Sequence, residues 1–102
     1  MPLMKPACES KKTITAQNTF TDPMMVNGGD AIQLSIQGTF VATVTVQQSH
    51  DSGVNYEDIP DATYTAPAVK NGEFTIPVLV RAGVKTGGFT SGTVVVTLRK
   101  LA

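Results

Sequence analysis

The sequence has no tryptophan, a single cysteine and a single histidine among 102 residues, and its aromatics stop at two tyrosines and four phenylalanines. Cys8 has no partner for an internal disulfide, which excludes a disulfide scaffold. His50 has neither a second histidine nor a cysteine at ligand spacing, so a zinc site is not expected and His50 reads as a solvated turn residue. With the sole histidine on a turn, the sole cysteine near the start of the chain and no Gly-x-Ser-x-Gly elbow, nucleophilic catalysis fails on inventory. An excess of one charge is also missing, since eight basic residues balance eight acidic ones. Nothing draws the chain broadly to phosphate backbones or anionic membranes, so neither a nucleic-acid nor a membrane partner is expected. No apolar run approaches the roughly 18 residues of a membrane span. Residues 1–10 carry Pro2, Lys5, Pro6 and Glu9 where a secretory segment needs an apolar core, which predicts synthesis in the cytoplasm without export.

What remains is a short chain dense in β signal. Its length suits one domain, because two cores would each be too small to stand alone. Residues 1–12, with two prolines and three lysines, read as a flexible arm, and 13–102 as a single domain. Residues 13–20 are weakly strand-like through Ile14, Ala16 and Phe20. Asp22-Pro23 breaks them, and Met24, Met25 and Val26 lead into the turn Asn27-Gly28-Gly29-Asp30. Ile32, Leu34 and Ile36 then alternate with Gln33, Ser35 and Gln37 as a half-buried strand requires, with Gly38 as its end. Phe40, Ala42, Val44 and Val46 repeat the pattern in residues stiff at χ1.

Residues 48–55 form a polar turn, and 56–59 a short returning strand ended by Pro60, so a hairpin is predicted there. Tyr64 and Thr65 look extended. Asn71-Gly72 reads as a tight turn, followed by strands at 73–76 and 78–85 separated by a bend at Pro77. The glycine-rich loop 86–92 and the alternating residues of 93–100 predict a closing hairpin. Seven or eight short strands without helical periodicity indicate an all-β antiparallel sandwich or jelly roll, with a closed barrel as the alternative.

Three features bear on assembly. The core is thin for a free monomer. Val41 and Val95 lie on otherwise polar faces, which reflects either strand propensity or an apolar patch covered by another subunit. The Met24-Met25-Val26 cluster is either core filler or an adaptable contact surface. Core filler is the favoured reading of each, yet together they point to a homo-oligomer.

Ser49-His50-Asp51-Ser52-Gly53-Val54-Asn55-Tyr56 fits the Asp-box pattern Ser-x-Asp-x-Gly-x-x-aromatic, with Tyr where Trp is usual. Its Ser and Asp side chains bond backbone amides across a hairpin and its ring packs underneath, so its role is architectural. The carboxylates Asp51, Glu57, Asp58 and Asp61 lack the regular ligand spacing of a calcium loop. A glycosidase pair would need them across a cleft that so small a domain hardly offers. Gly28-Gly29 and Gly87-Gly88 lie between strands, with no helix N-terminus to hold an anion. No cofactor is expected.

The segments Gly38-Thr39-Phe40-Val41-Ala42-Thr43-Val44-Thr45-Val46-Gln47-Gln48-Ser49-His50-Asp51-Ser52-Gly53, then Tyr64-Thr65-Ala66-Pro67, then Arg81-Ala82-Gly83-Val84-Lys85-Thr86-Gly87-Gly88-Phe89-Thr90-Ser91-Gly92-Thr93-Val94 carry a resemblance. In this order they resemble a family of small β-sandwich virion proteins of tailed bacteriophages. That family runs from a strand through a Ser-x-Asp-Gly-Gly turn and an aromatic to Tyr-Thr-Ala, Arg-x-Gly-Val, an aromatic-Thr-Ser-Gly-Thr-Val segment and a final strand. The likeness covers roughly three-fifths of the chain and omits its first third. Tyr56 departs from the usual Trp and Ser52 from the usual Gly.

The resemblance implies a non-enzymatic structural protein of the virion, made in the host cytoplasm, most simply a capsid decoration or cement protein. Its partners would be the major capsid protein or other virion proteins, and it would bind as a dimer or trimer of itself. The alternative is a receptor- or glycan-binding module of a tail fibre or baseplate using Tyr56, Tyr64 and Phe89. Partner contacts are expected at Met4 and Lys5 in the arm and at Ile14 and Phe20 in the first strand. Met24, Met25, Val41 and Val95 complete the expected surface.

Overall fold

The period-two alternation of apolar residues builds strands almost everywhere it occurs. The computed structural model describes residues 8–101 and forms them into β1 (Cys8–Ile14), β2 (Thr19–Phe20), β3 (Met24–Val26), β4 (Ala31–Ala42), β5 (Val44–Ser49), β6 (Glu57–Tyr64), β7 (Ala68–Glu73), β8 (Val78–Val84) and β9 (Phe89–Leu101). One sheet has the order β1-β9-β4-β7 and the other β2-β8-β5-β6, with β3 continuing β2 along the same edge of β8. All pairings are antiparallel. Among the described residues no ladder joins the two sheets, so the fold is a β-sandwich rather than a closed barrel.

Its core is aliphatic. Ile14, Val26, Ile36, Val44, Val80, Val84, Val94, Val96 and Leu98 are fully buried. Each such side chain stabilises the fold by about 1.5–3 kcal/mol through removal from water. β-branched residues dominate because they fill a pleated interlayer space with little loss of rotamer freedom.

Several expectations need correction. Residues 8–12 are not an arm: they form most of β1, which pairs with β9 from Cys8 opposite Lys100 to Ile14 opposite Val94. The strand is retained because Ile14 enters the core and the Ser10 hydroxyl bonds the Asp22 carbonyl at 2.8 Å. Residues 1–7, including Met4 and Lys5, lie outside the described residues. Residues 13–20 do not form one strand either, since the chain leaves one sheet at Ile14 and joins the other at Thr19.

Gly38 does not end a strand. It lies within β4 at φ 112°, and a Cβ there would strike the Thr93 carbonyl of β9, so this glycine permits a close approach instead of a turn. The break falls at Thr43, where the chain passes between sheets. The hairpin across residues 50–56 forms as expected, but β6 continues through Pro60. An edge strand tolerates the missing amide, and Asp61 at φ 61° with a register shift opposite Thr45 to Gln47 absorbs the irregularity.

Asn71-Gly72 is not a turn. Both residues lie in β7, held in register against Gln33 and Ile32 of β4. The strand placed at 73–76 therefore ends at Glu73, while the break near Pro77 appears where expected. The closing hairpin is also absent: β8 and β9 belong to opposite sheets, and residues 85–88 carry the chain across the sandwich. The inward rows Val78, Val80, Ala82, Val84 and Val94, Val96, Leu98 can then face each other, which burial in one sheet would not allow.

Candidate functional site

β5 is buried on both sides. Val44 and Val46 face the core, yet Thr45, Gln47 and Ser49, on the opposite face, are buried too. Their cover is the most specific side-chain arrangement among the described residues. Phe20 from β2 lies over Gly83, where any Cβ would meet its ring at 2.8 Å. The Arg81 guanidinium sits between two rings, 4.0 Å from the Phe20 centroid and 3.8 Å from that of Tyr56. Each ring presents its π-face to the cation, and the half-buried Arg81 is partly shielded from water.

Strand register extends this stack sideways. Gln47 lies opposite Arg81 on one side and Asp58 on the other. Arg81 Nε donates to Gln47 Oε1 at 2.9 Å, Gln47 Nε2 donates to Asp58 Oδ1 at 2.9 Å, and Lys85 Nζ donates to Asp58 Oδ2 at 2.7 Å. The Lys85 bond, with that from Gln47, holds the Asp58 carboxyl below the usual carboxylate range. No buried side-chain nitrogen or oxygen among the described residues lacks a partner.

The turn after β5 positions Tyr56. Ser49 Oγ donates to Asp51 Oδ1 at 2.7 Å and accepts from the Gly53 amide at 2.9 Å. Asp51 Oδ1 accepts from the Asn55 amide and Asp51 Oδ2 from the Asn55 side chain, both at 2.9 Å. The Asn55 amide, then the Ser49 hydroxyl, bring the Asp51 carboxyl down from 3.8 to about 2. The Asp-box reading thus holds in its bonding pattern. Its chemistry is spent on backbone amides, and His50 Nε2 is 3.3 Å from Glu57 Oε1 at the exposed rim. Among the described residues no three His, Cys, Asp or Glu side chains gather as metal ligands.

The expected contact residues do not form one surface. Ile14 and Met24 are core residues, 0% and 3% exposed, and cannot reach a partner from the folded state, which corrects their assignment. Phe20 is committed to Gly83 and Arg81. Met25, 49% exposed, lies opposite Leu79 on the sheet containing Arg81. Val41, 60% exposed, and Val95, half-buried beside Thr13 and Gln37, lie on the outer face of the other sheet. The aromatics of the glycan reading are likewise packed: Tyr56 on Arg81, Tyr64 and Phe89 against the core.

Sequence reasoning missed the chain Arg81, Gln47, Asp58, Lys85. The available signal was parity, because Gln47 and Arg81 both fall out of phase with the apolar rows of their strands. It also missed an apolar cleft of about 200 Å³ between the edge strands β6 and β7, lined by Ile32, Leu34, Ile59, Tyr64, Phe74 and Leu98. Compared with known protein families, with curated proteins and with solved structures, the chain matches none.

Proposed function

We propose that the protein is a non-enzymatic structural component of a tailed-bacteriophage virion, a decoration or cement protein that binds the capsid as a small homo-oligomer. The observation that carries this reading is the ordered run of segments from Gly38 to Val94. Its signature turn spends Ser49 and Asp51 on backbone amides, as a scaffold element does and a reactive site does not. The outer face of the β1-β9-β4-β7 sheet carries Thr13, Gln37, Thr39, Thr93 and Val95, with Val41 beyond them, as the proposed docking area.

The mechanism is linkage. A subunit that binds only the assembled lattice, bridging neighbouring capsid proteins, stabilises that lattice by its own binding free energy. Several weak contacts on one oligomer add through effective concentration. Rebinding of purified protein to particles that lack it, followed by electron microscopy, tests the proposal. Added density at fixed positions on the shell is the expected result, and particles left bare at saturating protein refute it. Val95→Asp is expected to reduce occupancy at least tenfold while leaving the fold intact.

A further inference from the structure

Each sheet ends in two edges, and three of the four are guarded against further pairing. β6 contains Pro60, which has no amide, and Asp61 at φ 61°. β2 and β3 are parted by Asp22-Pro23. β1 carries Glu9, Lys11 and Lys12. β7 runs uninterrupted from Ala68 to Glu73 and is exposed from Val69 onwards, and among the described residues no strand pairs with its outer side.

Hydrogen-bond parity decides what that side offers. The Phe74 amide donates to the Asp30 carbonyl at 3.1 Å, in the same register that sets Gly72 opposite Ile32 and Lys70 opposite Leu34. Antiparallel ladders alternate, so Gly72 and Lys70 spend their main-chain groups on β4, while Val69, Asn71 and Glu73 turn theirs outward. Gly72 shares the inward face with Ile32, and a Cβ built on it meets nothing within 4 Å, so the β6/β7 cleft stands open beside it.

We propose that this edge is a homodimer interface, in which β7 pairs antiparallel with β7 of a second copy about a two-fold axis at Asn71. Such an axis sets Asn71 opposite itself and Val69 opposite Glu73. Every outward main-chain group of these residues is then bonded, and two four-stranded sheets become one. Chemistry selects the register. An axis at Val69 or Lys70 draws in Pro67, which has no amide, and an axis at Lys70 also opposes two like charges. An axis at Gly72 carries Val69 past the strand end at Glu73. With the axis at Asn71, Lys70 of the second copy lies opposite Gly72, in the kind of pair where strands approach most closely. Its stem enters the space left by the missing side chain, and its ammonium lies beside Glu73 on the rim of the same cleft. The dimer does not rest on the capsid reading, so particles left bare in the rebinding assay would leave it standing.

Sedimentation of the full chain tests this. At about 100 μM the protein is expected at twice the 10.7 kDa of one chain. Asn71→Pro deletes an outward amide that β4 does not use, and is expected to weaken the dimer about tenfold or more with the circular dichroism of the monomer unchanged. A monomer or trimer at that concentration, or a dimer undiminished by a folded Asn71→Pro, overturns the proposal. Should Asn71→Pro not fold, crosslinking decides. An axis at Asn71 brings its two Cα atoms to about 5.5 Å, within disulfide reach. In a Cys8→Ser background, Asn71→Cys is expected to crosslink under mild oxidation about tenfold faster than Val69→Cys, and equal rates refute the register.

Discussion

Arg81 stacks on Tyr56 with its guanidinium carbon 3.8 Å from the ring centroid, joining the turn after β5 to the middle of β8. Two distant stretches of sequence are thereby fixed together outside the core. Arg81→Ala removes the stack on both rings and leaves Gln47 Oε1 without its donor. We expect a loss of about 1–3 kcal/mol by urea denaturation. Arg81→Lys should recover less than half, because an ammonium lacks the planar faces that meet Phe20 and Tyr56.

The Asp51 turn gives a pH signature. Its carboxyl titrates at about 2 when folded against 3.8 ordinarily, so the folded state holds this proton less tightly than the open chain. The stabilisation is fully present above 3.8 and disappears as pH falls towards 2. Asp58, also depressed by Lys85 and Gln47, acts in the same direction. Protection of the Gly53 and Asn55 amides, relative to the intrinsic exchange rate at each pH, should fall on acidification through that window, and Asp51→Asn should remove most of the dependence at Asn55.

Close contact between Gly83 and Phe20 makes a third test. In Gly83→Ala the new methyl overlaps Phe20 and the Thr19 carbonyl, so β2 must shift away from β8. A cost of about 1–3 kcal/mol is expected, with altered fluorescence of Tyr56 as its cover is disturbed.

β1 distinguishes scaffold from appendage. Ile14→Ala should destabilise the fold by about 2–5 kcal/mol, and removal of residues 1–12 should expose β9 and cause aggregation. Removal of residues 1–7 alone should leave the two sheets intact by circular dichroism.

Periodicity made the class of fold and the inward rows of β4, β8 and β9 legible, because alternation reports directly which side chains leave water. Partner strands were less accessible. Val84 and Phe89 look like the arms of a hairpin, but a short link can turn within a sheet or cross between two, and local sequence does not distinguish them. Asn71-Gly72 carries a strong turn signal that ladder bonding to β4 overrides. At the site, Ser49, Asp51 and Tyr56 were readable from their fixed spacing. The Arg81 stack was not, since Phe20 and Tyr56 come together only after β2 docks beside β8.

The ladder between β1 and β9 has a consequence for biosynthesis. During synthesis β1 must wait for residues 89–101 before it finds its neighbour. Until then β4 also lacks one of its flanks, and sticky main-chain groups are open to other molecules. Pairing of residues 89–101 with both β1 and β4 is therefore a long-range step that follows the local contacts in folding.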